Sequence, residues 1–209
     1  MRRPRTRMQL LATRGQLDVA RLGEELLEQK REALLRELHR EVRIVFAAQE
    51  DVEAAAAVAR LALEGARVDL GQETVAAAAS AAHGEVSVDL AVTNVMGVPV
   101  PVIEPRSLVR TPVERDRAPE ASGPALELAA ERFEEELTLA VRLASMESRV
   151  RRLAREIRRT GSRVNALRTR VIPDLDEEAR AIAFVLEQHE REDHHRLKSV
   201  KRMRAAAVR

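Results

Sequence analysis

The segment 99–124 reads PVPVIEPRSLVRTPVERDRAPEASGP and contains six of the eight prolines in the chain. Proline interrupts α-helices and the inner strands of sheets, so this segment separates two long stretches that can each be helical. Both stretches are rich in Ala, Leu, Glu and Arg, which have the highest helix propensities. The sequence therefore predicts a long helix, a short irregular middle and a second long helix.

This order of elements predicts an all-α fold in which the N- and C-terminal helices form a long antiparallel two-helix coiled coil. We expect residues 1–82 to form the N-terminal helix, residues 83–124 a small β-hairpin and a Pro-rich loop, and residues 125–209 the C-terminal helix. The three parts are predicted to form one elongated unit. Antiparallel pairing is favoured because the covalent connection gives the two helices a high effective concentration for each other.

Apolar residues in both predicted helices recur at steps of three, four or seven, which is the seam spacing of a coiled coil. In the first helix they are Leu10, Leu17, Ala20, Leu27, Leu34, Leu38, Val45, Ala48, Val52, Ala55, Ala59 and Ala62. In the second helix they are Leu126, Ala129, Phe133, Leu137, Ala140, Val150, Leu153, Ile157, Val164, Leu167, Val171 and Leu175, extended by Ile182, Leu197 and Val200. Pro173 lies within the second series, so we expect that helix to bend or loosen there.

The middle of the chain shows the two-residue alternation of β-strands. The alternating apolar residues are Val86, Val88, Leu90 and Val92, then Val98, Val100 and Val102. Residues 94–97, Asn-Val-Met-Gly, lie between the two series and are predicted to form the hairpin loop. Pro99 and Pro101 mark the second strand as an edge strand. Because an isolated two-stranded ribbon is marginal in water, we expect it to pack on the helices or on a partner.

The composition limits the classes of function. Charged residues make up 33% of the chain but the net charge is only +2, so nucleic-acid binding would have to rest on local patches. The chain contains no cysteine, which excludes disulfides and thiolate chemistry and fits a reducing cytoplasm. No apolar run approaches the about 20 residues needed to span a bilayer, so no direct membrane insertion is expected. The basic N-terminus is not followed by a signal-peptide core, which predicts a soluble, unprocessed protein.

The only segment with metal-binding character is residues 189–195, His-Glu-Arg-Glu-Asp-His-His. A zinc protease helix needs two histidines one turn apart, but the fourth position after His189 is Asp193. Glu190 and His194 could hold a metal weakly, but a solvated polar helix face is the favoured interpretation. The sequence also contains no P-loop, Rossmann glycine pattern or nucleophile elbow. We therefore predict no catalytic residue, no cofactor and no metal site.

Two basic regions are candidate binding surfaces. The first is a run in the second helix that comprises Arg149, Arg151, Arg152, Arg155, Arg158, Arg159, Arg163, Arg168 and Arg170. It could be a solvated face, a site for an acidic protein or a site for nucleic acid, although the aromatic platforms of single-strand binders are missing. The second region combines the termini, where Arg2, Arg3, Arg5, Arg7 and Arg14 precede the first acid and Lys198, Lys201, Arg202, Arg204 and Arg209 follow the last. An antiparallel hairpin would bring these two sets to one basic tip.

Several sequence motifs follow one another along nearly the whole chain. Those in the first helix are Thr6-Arg7, Leu10-Leu11, Ala20, Gly23, Leu26-Leu27, Lys30-Arg31 and Ala33-Leu34, and the central hairpin carries Asn94-Val95-Met96-Gly97-Val98-Pro99. Those in the second helix are Thr160, Arg163-Val164-Asn165-Ala166-Leu167, Ile172-Pro173, Leu186-Glu187, Glu190-Arg191-Glu192, Arg196-Leu197-Lys198 and Lys201. In these motifs the chain resembles the D subunit of the rotary V-type and A-type ATPases and ATP synthases. It departs from the family pattern at Gly161-Ser162, where the family usually has basic or polar helix formers, and at Arg168, where the family usually has Glu. These departures put local stiffness and one ion pair in question.

The resemblance implies a non-catalytic central-stalk subunit, peripheral to the membrane on the cytoplasmic side. Its implied partners are the catalytic A and B subunits, the small F subunit of the stalk and the funnel-shaped adaptor of the membrane ring, with no nucleic acid. The basic tip, Arg3, Arg5, Arg7, Lys198, Lys201 and Arg202, is the expected contact with the catalytic ring. Arg163, Asn165 and Arg168 form the expected shaft motif at a partner interface.

Two other classes of function remain open from the sequence. A stand-alone coiled-coil scaffold would form a defined homo-oligomer, whereas the rotor protein would be a monomer that requires the F subunit. A helical nucleic-acid-binding protein would use the arginine run and would lose affinity steeply with added salt. An all-α enzyme that uses the Glu and His residues of segment 189–195 is a more distant alternative.

Overall fold

The computed structural model describes residues 6–81, 88–103, 108–110 and 123–207. In these residues a long N-terminal helix and a long C-terminal helix pack together, and a two-stranded hairpin lies between them in sequence, so the predicted fold class is confirmed. The elements are α1 (Arg7–Leu70), α2 (Gln72–Ala81), β1 (Leu90–Val95), β2 (Val98–Ile103), α3 (Pro124–Ala166), a π-helical turn (Leu167–Val171) and α4 (Ile172–Ala207).

The chain divides into two compact units. The terminal unit consists of Met1–Ala33 and Arg158–Arg209, and the central unit of Leu34–Ile157. In the terminal unit, the residue numbers of ion-pair partners rise along α1 as they fall along α4 and the π-helical turn, which defines an antiparallel helix pair. The ion pairs that show this are Arg7 with Glu190, Arg21 with Asp176 at 3.9 Å and Arg168 with Glu28 at 2.7 Å.

The predicted seam of the first helix is confirmed. All twelve of its residues, from Leu10 to Ala62, are buried or half-buried in the unit to which they belong. Leu34 and Ala59 are fully buried, and so is Leu153 on α3. The heptad spacing was sufficient here because α1 is one uninterrupted helix, so a constant step keeps the same face inward.

Five seam predictions in the second helix are wrong. Phe133, Leu137, Val171, Leu197 and Val200 are exposed, each by 38% or more. The error at Val171 comes from the π-helical turn, since such a turn takes up one extra residue. The inward positions before the turn are 153, 157, 160, 164 and 167, and those after it are 172, 175, 179, 182 and 186. Steps of four and three continued from 167 would have reached 171 and 174, so the seam is displaced by one residue.

The turn lies directly before Pro173, where loosening was predicted. Proline has no N–H and its ring clashes with the carbonyl four residues earlier, which here belongs to Thr169. Instead of the α-helical pattern, the Ile172 N–H donates to the Leu167 carbonyl, five residues back. The helix therefore continues past Pro173 with a local change of register.

The other four wrong seam predictions have different physical causes. Near Phe133 and Leu137, the polar Glu134 is the buried residue, because its carboxylate accepts hydrogen bonds from Arg110 of the returning chain. Near the end of α4, every described side chain from Glu187 to Arg204 is exposed, so Leu197 and Val200 extend no seam in the described structure.

The hairpin forms in the predicted region, with a shorter loop and a shorter first strand, since β1 begins at Leu90 and Val88 precedes it. Its antiparallel strands pair Val95 with Val98, so the turn consists of Met96 and Gly97 alone, and residues 94 and 95 belong to β1. Both turn residues have positive φ, 52° for Met96 and 81° for Gly97, as in a type I′ turn. Val98 and Val100 form a buried cluster with Leu34 and Leu153, which confirms that the hairpin packs on the helices. Val86 lies outside the described residues.

A polar face of α3 holds the chain that returns from the hairpin. The Ile103 and Leu108 N–H groups donate to Ser145 Oγ at 3.1 Å and Thr138 Oγ1 at 3.3 Å. The Arg110 N–H donates to Glu134 Oε2 at 2.8 Å. Residue numbers rise along the returning chain as they fall along α3, so the two run antiparallel. Of the Pro-rich loop predicted within residues 83–124, residues 108–110 are thus anchored to α3, and 104–107 and 111–122 lie outside the described residues.

The end of α1 is set by glycine. Gly71 has φ +81°, a left-handed conformation that costs other residues energy, and its N–H donates to the Arg67 carbonyl at 3.0 Å. After this break, α2 packs Val75 and Ala78 against Ala66 of α1 and against α3. The central unit thus has a second apolar cluster besides the one beneath the hairpin.

Candidate subunit interface

The predicted basic tip lies on exposed helix ends. Lys198, Lys201 and Arg202 are exposed on α4, and the stretch 194–204 contains five lysines and arginines and no acid. Arg7, at the start of α1, is largely exposed and pairs with Glu190. Arg3 and Arg5 lie outside the described residues. The described part of the tip is therefore a basic helix that also exposes Leu197, Val200 and Met203.

The three residues of the shaft motif differ in their surroundings. Arg163 and Asn165 are exposed, while Val164 between them is 2% exposed and faces the seam. Arg168 is engaged within the chain, since its Nε lies 2.6 Å from Glu24 Oε1 and its Nη2 lies 2.7 Å from Glu28 Oε2. The hydrogen bond to Glu24, with the charge of Glu28 beside it, raises the pKa of the Arg168 guanidinium. Arg168 therefore makes ion pairs with two residues of α1.

The arginine run is not one free surface. Arg149 contacts the nearly buried carboxylates of Glu37 and Glu41, at 3.4 and 3.0 Å. The Arg152 side chain donates to the Pro99 carbonyl at 3.0 Å and so holds the hairpin on α3. Arg151 pairs with Glu147 at 2.9 Å. The exposed members in the terminal unit are Arg158, Arg159, Arg163, Arg168 and Arg170, and of these Arg168 is bound to α1.

An exposed apolar stripe on α1 was not identified from the sequence. In the central unit it comprises Ile44, Ala47, Asp51, Ala54, Val58, Leu61, Gly65 and Val68, all of them exposed. The first seven each precede an inward-facing residue by one, so the stripe lies about 100° around the helix from the seam. Val58, Leu61 and Val68 are 50%, 76% and 84% exposed. We call this set the central stripe.

The terminal unit has a comparable apolar surface. Its members on α1 are Met8, Leu11, Gly15, Val19, Leu22 and Leu26, and all are exposed. A shallow groove of about 730 Å³ adjoins it, lined by Ala12, Gly15, Gln16, Val19, Ala20, Val171 and Leu175. We call the six exposed α1 residues from Met8 to Leu26 the terminal stripe. The spacing of both stripes can be found in the sequence, but spacing alone does not distinguish them from the seam.

The described residues show no grouping of metal-ligating side chains. No set of three or more His, Cys, Asp or Glu that could hold a metal occurs among them, and His189 Nδ1 lies 4.0 Å from Glu192 Oε2 on an exposed face. Within the same described ranges, no helix combines the length and the apolar character required to cross a membrane.

Paired helices with exposed apolar stripes and a basic end define a helical assembly protein, one whose surface is suited to contact other chains. The family model for the D subunit of ATP synthase matches residues 9–202, and the chain belongs to this family. The D subunit is a structural stalk component of the A/V-type ATP synthase, so the chain is a non-catalytic component of a peripheral ATPase complex.

Relatives from bacteria and archaea are similar along nearly their whole length. The chain is 41% identical over 197 residues to the D subunit of the V-type ATP synthase of Anaeromyxobacter sp. (strain Fw109-5). It is 38% and 35% identical over 196 residues to the D subunits of the A-type ATP synthases of Thermococcus kodakarensis and Pyrococcus furiosus. Each alignment covers 94% of this chain and 92% of the relative.

Proposed function

We propose that the chain is the central rotor shaft of a rotary V/A-type ATPase or ATP synthase. In this role it couples ATP hydrolysis or synthesis in the ring of A and B subunits to ion translocation across the membrane. The observation that carries the proposal is that, in a member of the D-subunit family, large apolar side chains on α1 are exposed in both units. Burying these side chains requires other subunits.

The terminal unit is the proposed contact with the catalytic A and B subunits. Its exposed surface combines the terminal stripe with the basic residues Arg7, Lys198, Lys201 and Arg202. Apolar side chains supply the burial, and the basic end steers this unit toward an acidic lining of the ring. Arg3 and Arg5 are proposed to extend the same surface, and exposed Arg163 and Asn165 to lie beside it.

The central unit is the proposed contact with the F subunit and the funnel-shaped adaptor of the membrane ring. The central stripe has heptad spacing, which fits the apolar face of a helix from the partner. Asp51 within the stripe and exposed Glu50 and Glu53 beside it favour a partner helix with basic flanks. The division into helix 1–82, middle 83–124 and helix 125–209, acting as one elongated unit, is part of this proposal.

The mechanism follows from symmetry. A shaft built from two paired helices has no threefold axis. The ring of alternating A and B subunits, in contrast, has three catalytic sites. Each orientation of the shaft therefore makes different contacts with the three sites and stabilises one pattern of open and closed sites. The chain supplies this asymmetry and the mechanical connection, while catalysis belongs to the A and B subunits.

Reconstitution of the catalytic ring with and without the chain tests the proposal. We expect single-molecule rotation and rotary ATP turnover only when the chain is present. Lys198→Glu, Lys201→Glu and Arg202→Glu together should weaken association with the ring while the free chain keeps its far-UV circular dichroism.

The matched control makes the same charge change in the central unit, at exposed Arg36, Arg43 and Arg60. It should leave association with the ring unchanged. Identical ATP turnover with and without the wild-type chain would refute the rotor function. Unchanged affinity of the triple variant at 198, 201 and 202 would refute the assignment of the basic tip.

A further inference from the structure

The π-helical turn is held differently from the rest of the second long helix. Its hydrogen bonds span five residues, as from Ile172 N–H to the Leu167 carbonyl, and π-helical hydrogen bonding occurs mainly as isolated single turns in proteins. Pro173 can donate no hydrogen bond to the turn. None of the five residues of the turn is fully buried, and Leu167 alone is half-buried toward the seam, so apolar packing fixes the turn less than the helix on either side.

The space beside the turn is also open. Val171 and Leu175 line the shallow groove against Gly15 and Val19 of α1. A Cβ added at Gly15 would meet no atom within 4 Å, so α1 leaves this side of the turn unfilled. Few buried contacts and exposed backbone hydrogen bonds are the physical features of a segment that opens locally at low free energy.

One side chain of the turn is fixed at two points. The Arg168 guanidinium donates to both Glu24 and Glu28, at 2.6 and 2.7 Å, and these two carboxylates lie one helical turn apart on α1. Charge-assisted hydrogen bonds of this length are among the strong ones, and two acceptors define the orientation of a guanidinium plane. Thr169 Oγ1 adds a local bond to the Asn165 carbonyl at 2.8 Å.

We propose that the turn Leu167–Val171 is a hinge in the second long helix and that Arg168, bound to Glu24 and Glu28, is the brace that sets its stiffness. With the brace in place, the turn stays closed against α1. Without it, the turn opens more often and the helix on either side can twist about it. The consequence for torque transmission rests on the proposed rotor function, whereas the hinge itself is a property of the free chain.

Amide hydrogen exchange of the full-length free chain, wild type against Arg168→Gln, tests the hinge. Arg170→Gln is the matched control because Arg170 lies in the same turn, is exposed and loses the same charge. We expect the amides of residues 170–172 to exchange about tenfold faster in R168Q, since two charge-assisted bonds are lost. Exchange in R170Q, and at Leu153 of the central unit in every variant, should match the wild type.

A second variant tests whether the planar, two-pronged geometry of the Arg168 guanidinium matters in addition to its charge. Arg168→Lys keeps the charge but presents a point donor in place of the planar fork, so exchange should fall between wild type and R168Q. Unchanged exchange in R168Q, or an equal rise in R170Q, would overturn the proposal. Because exchange is measured without other subunits, failure of the wild-type chain to associate with the ring would refute the rotor function and leave the hinge result standing.

Discussion

Arg149 on α3 joins this helix to α1 through two carboxylates. Its Nη2 lies 3.4 Å from Glu37 Oε1 and 3.0 Å from Glu41 Oε1, and the two glutamate side chains are only 10% and 8% exposed. Glu37 also contacts Arg40 on its own helix. We predict that Arg149→Ala is strongly destabilising, because it leaves two nearly buried carboxylates one helical turn apart without the charge between them.

The size of the expected loss of stability depends on the charged neighbours that each carboxylate keeps in Arg149→Ala. Removing one partner of a buried ion pair costs about 3–5 kcal/mol. Arg40 stays beside Glu37 and Arg149 is itself 29% exposed, so we expect the lower end, about 3 kcal/mol, with Glu41 as the main cause. The measurement is the free energy of unfolding of the full chain in urea, followed by circular dichroism.

Arg151→Ala is the matched control, because its pair with Glu147 lies on the exposed face of the same helix. Such a pair contributes about 0–1 kcal/mol, so this variant should change little. Replacing Arg149, Glu37 and Glu41 together by Leu should recover most of the loss, since apolar side chains can substitute for a buried ionic set. Equal losses in R149A and R151A would refute the reasoning.

Three further substitutions test other parts of the fold, each by urea unfolding of the full chain. Val164→Asp should cost at least about 3 kcal/mol, because it places an unpaired charge in the seam; unchanged stability would contradict the seam. Thr160→Val should stabilise by about 1 kcal/mol, because the buried Thr160 hydroxyl has no hydrogen-bond partner among the described residues; a loss would show that this hydroxyl is satisfied. Met96→Asn should stabilise by about 0.5–1 kcal/mol, because Asn tolerates the positive φ of the turn better; a loss would contradict the type I′ geometry.

Sequence spacing predicts a seam well where the helix is regular. All twelve assignments on α1 face inward because a constant step of three and four residues needs only an unbroken helix. The second helix fails at Val171, although Pro173 marks the place of the disturbance. A proline can produce a kink, a break or a register shift, and only the shift moves the following seam by one residue.

The surroundings of charged residues are harder to predict from the sequence, because arginines of one run lie in different environments. Arg149, Arg152 and Arg158 belong to one run in the sequence, yet the first contacts buried glutamates, the second holds the hairpin and the third is exposed. The burial of Glu134 likewise depends on Arg110, which comes from a different part of the chain. Such contacts join residues that are distant in sequence, so they are set by the tertiary fold and leave no local pattern.

The two apolar faces of α1 in the central unit distribute their side chains in an unusual way. Among the inward seam positions from 45 to 66, positions 48, 55, 59, 62 and 66 are alanine and only Val45 and Val52 are larger, whereas the central stripe carries Val58, Leu61 and Val68 outside. Small inward residues let α1 approach α3 closely but contribute little burial. A buried Val or Leu side chain contributes about 1.5–3 kcal/mol, and for the outer residues this free energy becomes available only when a third element covers them. Under the proposed function, a partner subunit that covers the central stripe would supply this apolar burial on assembly.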